Sequence, residues 1–355
     1  VEVLSAFELV EHMMRGIEPP SEAWRARARA HLDTLTKPLG SLGRLEDLAA
    51  QMAAIRHEAP TVPIRKGVYV FAADHGITAE GVSAYPREVT HQMVLNFLAE
   101  GAAINVLARL HGVVLSVVDV GVDADFGAIA GLLHRKVARG AANMLHQPAM
   151  SGDQLAQALS IGAEMAELAV AAGQTMVAIG EMGIGNTTSA SAIACALTGA
   201  SATAATGRGA GLEAQAQARK AAIVQAVVDR HSDTSPLEVL RCVGGLEIAA
   251  MTGMVLAAAR HRLVIVIDGF ISTAAAALAV ALVPEVGGYL IAGHQSEEPG
   301  HKLLLDHLGL APVLTLAMRL GEGSGAVLAM PVLESVAALY SRMATFAAAG
   351  VSEAT

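Results

Sequence analysis

Five short apolar runs rich in β-branched residues punctuate the chain, at 67–72, 113–120, 175–180, 263–268 and 288–292. Runs of this length fit buried strands. Most are followed by Gly, Asp or His and then by an Ala- and Leu-rich stretch with helical period. Strand, loop and helix in repetition predict an α/β fold, with a largely parallel, Rossmann-like sheet flanked by helices. Ligands of such sheets bind outside the carboxyl ends of the strands. Polar residues collect at those ends: Asp74-His75-Gly76, Asp119 and Asp123, Glu181-Met182-Gly183, Asp268-Gly269 and Gly293-His294.

The termini have another pattern. Residues 1–60 carry no strand and read as helices around 6–14, 21–35 and 42–57, broken at Pro19-Pro20 and at Lys37-Pro38-Leu39-Gly40. Residues 327–349 are helical again, with Pro331 near the start. The expected organisation is a large α/β catalytic domain over 61–326 and a smaller helical domain built from the chain termini, 1–60 and 327–355.

Composition sharpens this picture. Hydrophobic residues make up 53% of the chain and charged residues 16%, with aromatics at only 3%. That composition belongs to a packed core, here an aliphatic and Ala-rich one. The formal net charge of -9 gives no long-range attraction for nucleic acid. A local anion site needs only a few aimed donors. Cys195 and Cys242 both sit in apolar stretches and read as buried thiols of a reducing cytosol. The longest Ala-rich run, 269–283, stops at Pro284-Glu285, short of the roughly 20 residues a membrane span needs. Glu2, Glu8 and Glu11 are unlike a signal peptide. The expectation is a soluble cytoplasmic protein with neither a membrane nor a nucleic acid as partner.

Several stretches can carry chemistry. Gly180-Glu181-Met182-Gly183-Ile184-Gly185-Asn186-Thr187 lets a ligand approach the backbone and opens a helix whose free N–H groups suit an anion. It fits a phosphate cradle or an ordinary strand-to-helix turn, and it matches neither a Walker loop nor a dinucleotide fingerprint. Gly207-Arg208-Gly209 precedes a helix with Arg219 and Lys220, which fit phosphate donors or a solvated face. Gly321-Glu322-Gly323-Ser324-Gly325 sets one carboxylate among small residues, as a general base or as an exposed acid before a helix. Tyr85 and Gln92 fit a pocket for a flat heterocycle or plain packing at a helix start. His294, Glu297, Glu298 and His301 match no metal-ligand spacing.

Taken in order, Lys37-Pro38-Leu39-Gly40-Ser41-Leu42-Gly43, Ala73-Asp74-His75-Gly76, Val118-Asp119-Val120-Gly121, Glu181-Met182-Gly183-Ile184-Gly185-Asn186, Ile267-Asp268-Gly269-Phe270, Gly293-His294-Gln295-Ser296 and Gly321-Glu322-Gly323 run almost end to end. Together they resemble the nicotinate-nucleotide:dimethylbenzimidazole phosphoribosyltransferase family of cobamide biosynthesis. Two positions depart from its pattern: Ala141, where Thr is expected, and Ser324, where Thr is more usual. Neither touches the base that the resemblance implies.

The resemblance implies transfer of the phosphoribosyl group of nicotinate mononucleotide to 5,6-dimethylbenzimidazole. The products are α-ribazole 5′-phosphate and nicotinate, with inversion at C1′. Glu322 is implied as the general base, its pKa raised by a partly apolar pocket. Ser83, Tyr85, Gln92, Met182 and Leu320 are implied to line the flat pocket. Glu181 and Asp268 are implied as further catalytic carboxylates, at the ribose hydroxyls or the charge developing at C1′. Gly183, Gly209, Gly269, Ser296 and Lys220 are implied to hold the 5′-phosphate. The family is a homodimer, so Lys220 acts either within its own chain or from a partner chain. Neither metal nor cofactor is implied. Two other readings stay open: the same transfer to another benzimidazole, adenine or a phenol, and a non-catalytic protein that binds azole or nucleotide.

Overall fold

The computed structural model describes residues 8, 11, 15–209, 211, 213–231 and 235–352. Its central sheet has six strands, β1 (Lys66–Ala73), β2 (Val113–Gly121), β3 (Leu132–His134), β4 (Met176–Met182), β5 (Val264–Ile267) and β6 (Leu290–Ala292). They lie in the order β3-β2-β1-β4-β5-β6, and every pairing is parallel. All eight residues of β1 are buried. A strand covered by helices on both faces reads as a continuous apolar run, which is why this one shows so plainly in the sequence. The order reverses between β1 and β4, the position at which open α/β sheets form ligand crevices.

The runs at 67–72, 113–120, 175–180 and 263–268 become β1, β2, β4 and β5 with small shifts at their ends. The run at 288–292 is shorter as a strand, because a 3₁₀ turn, Pro284–Tyr289, takes its first residues. Three strands have no counterpart in the apolar pattern. They are β3 and the parallel pair β7 (His294–Ser296) and β8 (Leu314–Met318), which forms a separate two-stranded sheet.

Small residues set the helix packing. The helices Gly152–Ala171 and Leu246–Arg260 cross at Gly162 and Gly253. A side-chain carbon at Gly253 would stand 2.8 Å from the carbonyl carbon of Leu159, so the helix backbones meet almost directly. The first of these helices begins at a reciprocal cap, in which Ser151 and Gln154 bond each other's backbone N–H. Cys195 and Cys242 are both buried, and Cys242 Sγ lies 3.8 Å from Glu238 Oε2.

The helices Glu22–Asp33, Arg44–Arg56 and Ser324–Arg342 bring the two ends of the chain together, and Leu35 bridges to Thr345. A buried ion pair, Lys37 to Glu46 at 2.8 Å, braces the turn between the first two. The helix expected around 6–14 lies almost wholly outside the described residues. The long helix Ser324–Arg342 starts before the boundary expected after 326, which falls inside it, and Pro331 sits within the helix. One apolar cluster runs from Ala28 to Tyr340, shared by terminal helices and sheet. By length and composition Val89–Leu110 and Ser324–Arg342 could cross a membrane. The former is broken into Val89–Leu98 and Ala103–Leu110, and the latter buries Ala326, Val327, Met330 and Leu333 in the shared core.

Candidate active site

The carboxyl ends of β4 and β5 and the segments around β7 and β8 converge on an open cavity, with about 860 Å³ of space that includes open solvent. After β4, Gly185 takes φ +98 and starts the helix Asn186–Thr198. Only glycine takes that conformation without strain. Asn186 and Thr187 then stand on the cavity wall, and so does Gly269, where the helix Phe270–Leu282 begins. The first N–H groups of a helix lack partners within it, so two helix ends favour an anion here.

Lys220 lies behind this wall, 1% exposed, and its Nζ donates to Thr187 Oγ1 at 2.6 Å. Burial lowers its pKa to about 8, while Glu298 raises it. An arriving anion would favour its charged form. A side-chain carbon on Gly209 would stand 3.3 Å from that Nζ. Arg319 donates to the carbonyl of Gly209 at 3.1 Å. This part of the cavity has the donors and the positive field that a phosphate needs.

Elsewhere on the wall two carboxyl groups, Glu181 and Glu322, stand among apolar residues such as Met182, Phe270 and Leu320. Glu322 is 5% exposed and has φ +64, between Gly321 at +89 and Gly323 at +83. A non-glycine residue held there costs about 1–3 kcal/mol and persists where its surroundings dictate it. The loop presses on β4: a side-chain carbon at Gly180 would stand 2.6 Å from both Glu322 C and Gly323 N. Burial raises the Glu322 carboxyl above the ordinary range, the N–H of Ile104 lowers it, and the charge of Asp268 raises it.

Glu181 is 8% exposed and lies against Gly321. Burial pushes it up to about 8, with further raising by Asp268, Glu247 and Glu322 and a lowering bond from the Asn186 amide. Its surroundings therefore favour the protonated form of Glu181, which also accepts from the Asn186 amide.

Of the residues singled out in the sequence, Ser83, Glu181, Met182, Gly183, Gly209, Gly269, Ser296, Leu320 and Glu322 line one cavity. Lys220 reaches it from beneath, within the same chain. Tyr85 is 52% exposed and lies in a shallow depression that shares Ser83 with the cavity. Gln92 is exposed on the helix Val89–Leu98 and does not line the cavity. Asp268 does not line the cavity: its carboxylate accepts backbone N–H groups of Gly323, Gly325 and Ala326 just behind the wall.

Arg319 and Glu298 also line the cavity without having been assigned there, beside Asn186 and Thr187 of the glycine-rich stretch. So does His294, whose Nε2 is 3.5 Å from Asp268 Oδ1. His301 is held neutral by burial, at about 3. Its Nδ1 accepts from Ser296 N at 2.9 Å and its Nε2 meets Thr273 Oγ1 at 3.0 Å. Both of its nitrogens are thus committed within the protein. Among the described residues no three His, Cys, Asp or Glu converge as a set of metal ligands.

Ser189, His75 and Glu247 stand in line, at 3.3 Å and 2.5 Å, like a hydrolytic triad. Ser189 is fully buried and donates to the carbonyl of Gly244, so no substrate meets its hydroxyl. The line braces the floor of the site instead, since Glu247 lies directly under Gly183.

Residues 17–351 match a family model described as Phosphoribosyltransferase. Relatives from Desulforudis audaxviator (strain MP104C) and Geobacter sulfurreducens (strain ATCC 51573 / DSM 12127 / PCA) are 49% and 48% identical. The alignments cover 98% and 97% of this chain and 99% of each relative. Both relatives are named nicotinate-nucleotide–dimethylbenzimidazole phosphoribosyltransferase. The crystal structure of the enzyme of that name from Thermus thermophilus superposes with a TM-score of 0.89 at 46% identity, covering 94% of this chain and all of that one.

Proposed function

Since the chain belongs to the nicotinate-nucleotide–dimethylbenzimidazole phosphoribosyltransferase family, we propose that it moves the phosphoribosyl group of nicotinate mononucleotide onto a nitrogen of 5,6-dimethylbenzimidazole, releasing nicotinate. The observation that carries this reading is the pairing, in one cavity, of an anion-binding end at Thr187, Gly209 and Lys220 with a buried acid, Glu322, of raised proton affinity. The 5′-phosphate docks on Lys220 and the helix N-termini, with Gly183, Gly269 and Ser296 close to it. The acceptor lies against Ser83, Met182 and Leu320, with Tyr85 at its outer rim.

As one benzimidazole nitrogen attacks C1′, the other must lose its proton, and Glu322 takes it. Nicotinate leaves without acid help, because bond breaking neutralises its positive ring nitrogen. Holding acceptor and leaving group on opposite faces of the ribose supplies inversion and much of the rate. Glu181, protonated at neutral pH, donates a hydrogen bond toward the ribose rather than carrying charge. This reading includes a cytoplasmic homodimer, in keeping with family membership; the exposed Leu316 and Leu320 offer apolar surface to a partner chain. The test is incubation with nicotinate mononucleotide and a panel of benzimidazoles, adenine and phenols, with mass spectrometry of products. Formation of α-ribazole 5′-phosphate and nicotinate supports the reading; turnover of only another acceptor reassigns the substrate, and turnover of none removes the enzymatic reading.

A further inference from the structure

Asp268 follows β5, is 2% exposed and lies behind the cavity wall. Its Oδ1 accepts from Gly325 N at 2.6 Å and Ala326 N at 3.0 Å, and its Oδ2 from Gly323 N at 3.2 Å. These donors are the residue just after Glu322 and the first turn of the helix Ser324–Arg342. That helix has no side-chain cap from its own N-cap residue, Gly323. Its orphan N–H groups are satisfied instead by a carboxylate from the sheet, an arrangement that also suits the helix dipole.

The same carboxylate therefore fixes the peptide on which Glu322 hangs. Glu322 has a left-handed backbone that its own side chain does not favour, so something outside the loop must hold it. Gly325 has to be glycine for the clamp to close, because a side chain there would overlap the His294 ring. The ring in turn packs beside Asp268.

We propose that Asp268 is a positioning residue for proton transfer: from the end of β5 it clamps the Glu322 loop and aims the Glu322 carboxylate into the cavity. The inference rests on the reading of Glu322 as the proton acceptor. Asp268 does not line the cavity, and three backbone donors engage its oxygens.

The groups facing Glu322 are Glu181 on β4, Asp268 after β5 and the N-terminal end of the helix Ala103–Leu110. Asp268 itself faces Glu181, Glu322, His294 and His301. The charge of Asp268 is one cause of the raised proton affinity of Glu322. Removing that charge has a signature which loss of a structural brace alone lacks.

The experiment compares wild type, Asp268→Asn, Asp268→Ala, Glu322→Gln and the double variant Asp268→Asn/Glu322→Gln. Steady-state rates are followed against pH, and nicotinate mononucleotide binding by calorimetry. Asp268→Ala is expected to lower kcat by about 10², with nucleotide affinity changed little. Asp268→Asn keeps an oxygen for Gly325 and Ala326 and is expected to recover part of that rate. It is also expected to move the acid limb of kcat to lower pH. In the Glu322→Gln background Asp268→Asn is expected to cost no further rate, because residues acting through one group are not additive.

An unshifted acid limb in Asp268→Asn, or a full additional loss in the double variant, overturns the proposal. So does a selective loss of nucleotide affinity, which marks direct contact with the ribose. A Glu322→Gln variant as fast as wild type signals a different failure, that of the base assignment itself.

Discussion

The backbone N–H of Ile104 donates to Oε2 of Glu322 at 3.4 Å, between residues 218 positions apart. Ile104 is in the first turn of the helix Ala103–Leu110, so the positive end of that helix faces the acid. The contact lowers the proton affinity that burial and Asp268 raise. Burial is the largest cause, so the carboxyl is expected to titrate above the ordinary value of about 4.3. Activity is therefore expected to fall, as pH drops, at a pH above that value. A kcat–pH profile checks this, and an acid limb at or below the ordinary range contradicts it.

Lys220→Ala is expected to weaken nicotinate mononucleotide by about tenfold to a hundredfold, the worth of one hydrogen bond to a charged group. Dimethylbenzimidazole binding should hardly change. Calorimetry with each ligand separately decides the matter, and equal weakening of both removes the phosphate role.

Gly180→Ala puts a carbon against the Glu322–Gly323 peptide. Overpacking of this kind costs about 1–3 kcal/mol where the neighbours cannot retreat. Here the neighbour that moves is the loop carrying Glu322. The expected result is a larger fall in kcat than in nucleotide affinity, with a modest loss in melting temperature. An unchanged kcat shows that the loop is not held against β4.

Glu181 is buried with its pKa at about 8. Between its unfolded value, near 4.3, and about 8, the unfolded chain releases a proton that the folded chain keeps. Stability therefore falls as pH rises through that window. Glu181→Gln keeps an oxygen for the Asn186 amide and removes the ionisation. It is expected to stabilise the fold more at pH 8 than at pH 5, by an amount on the order of a few kcal/mol, while lowering activity. Melting curves at both pH values check it; an equal change at both contradicts a neutral Glu181.

The sheet was legible where strands are buried on both faces, as in β1, because burial writes a continuous apolar run. His294-Gln295-Ser296 and the exposed middle of β8 obey no such constraint, and they emerge only once the chain has folded around β6. The glycine loops were legible because close backbone approach excludes side chains, as at Gly180 and Gly325. The partners of Asp268 were not legible for a physical reason. Its place after a strand is a property of the sequence, but the N–H groups that its carboxylate accepts belong to Gly323 and to the start of a helix far along the chain. His294 was set aside with a rejected metal cluster, and only the fold brings it to Asp268. Family resemblance, rather than spacing, gave Glu322 a substrate proton to accept.

The most direct measurement is single-turnover conversion of nicotinate mononucleotide and dimethylbenzimidazole by wild type and by Glu322→Gln, with ligand binding followed in parallel. The account expects α-ribazole 5′-phosphate from the wild type and a rate lower by about 10² to 10⁴ in the variant, with both ligands bound normally. Equal rates from the two proteins contradict it.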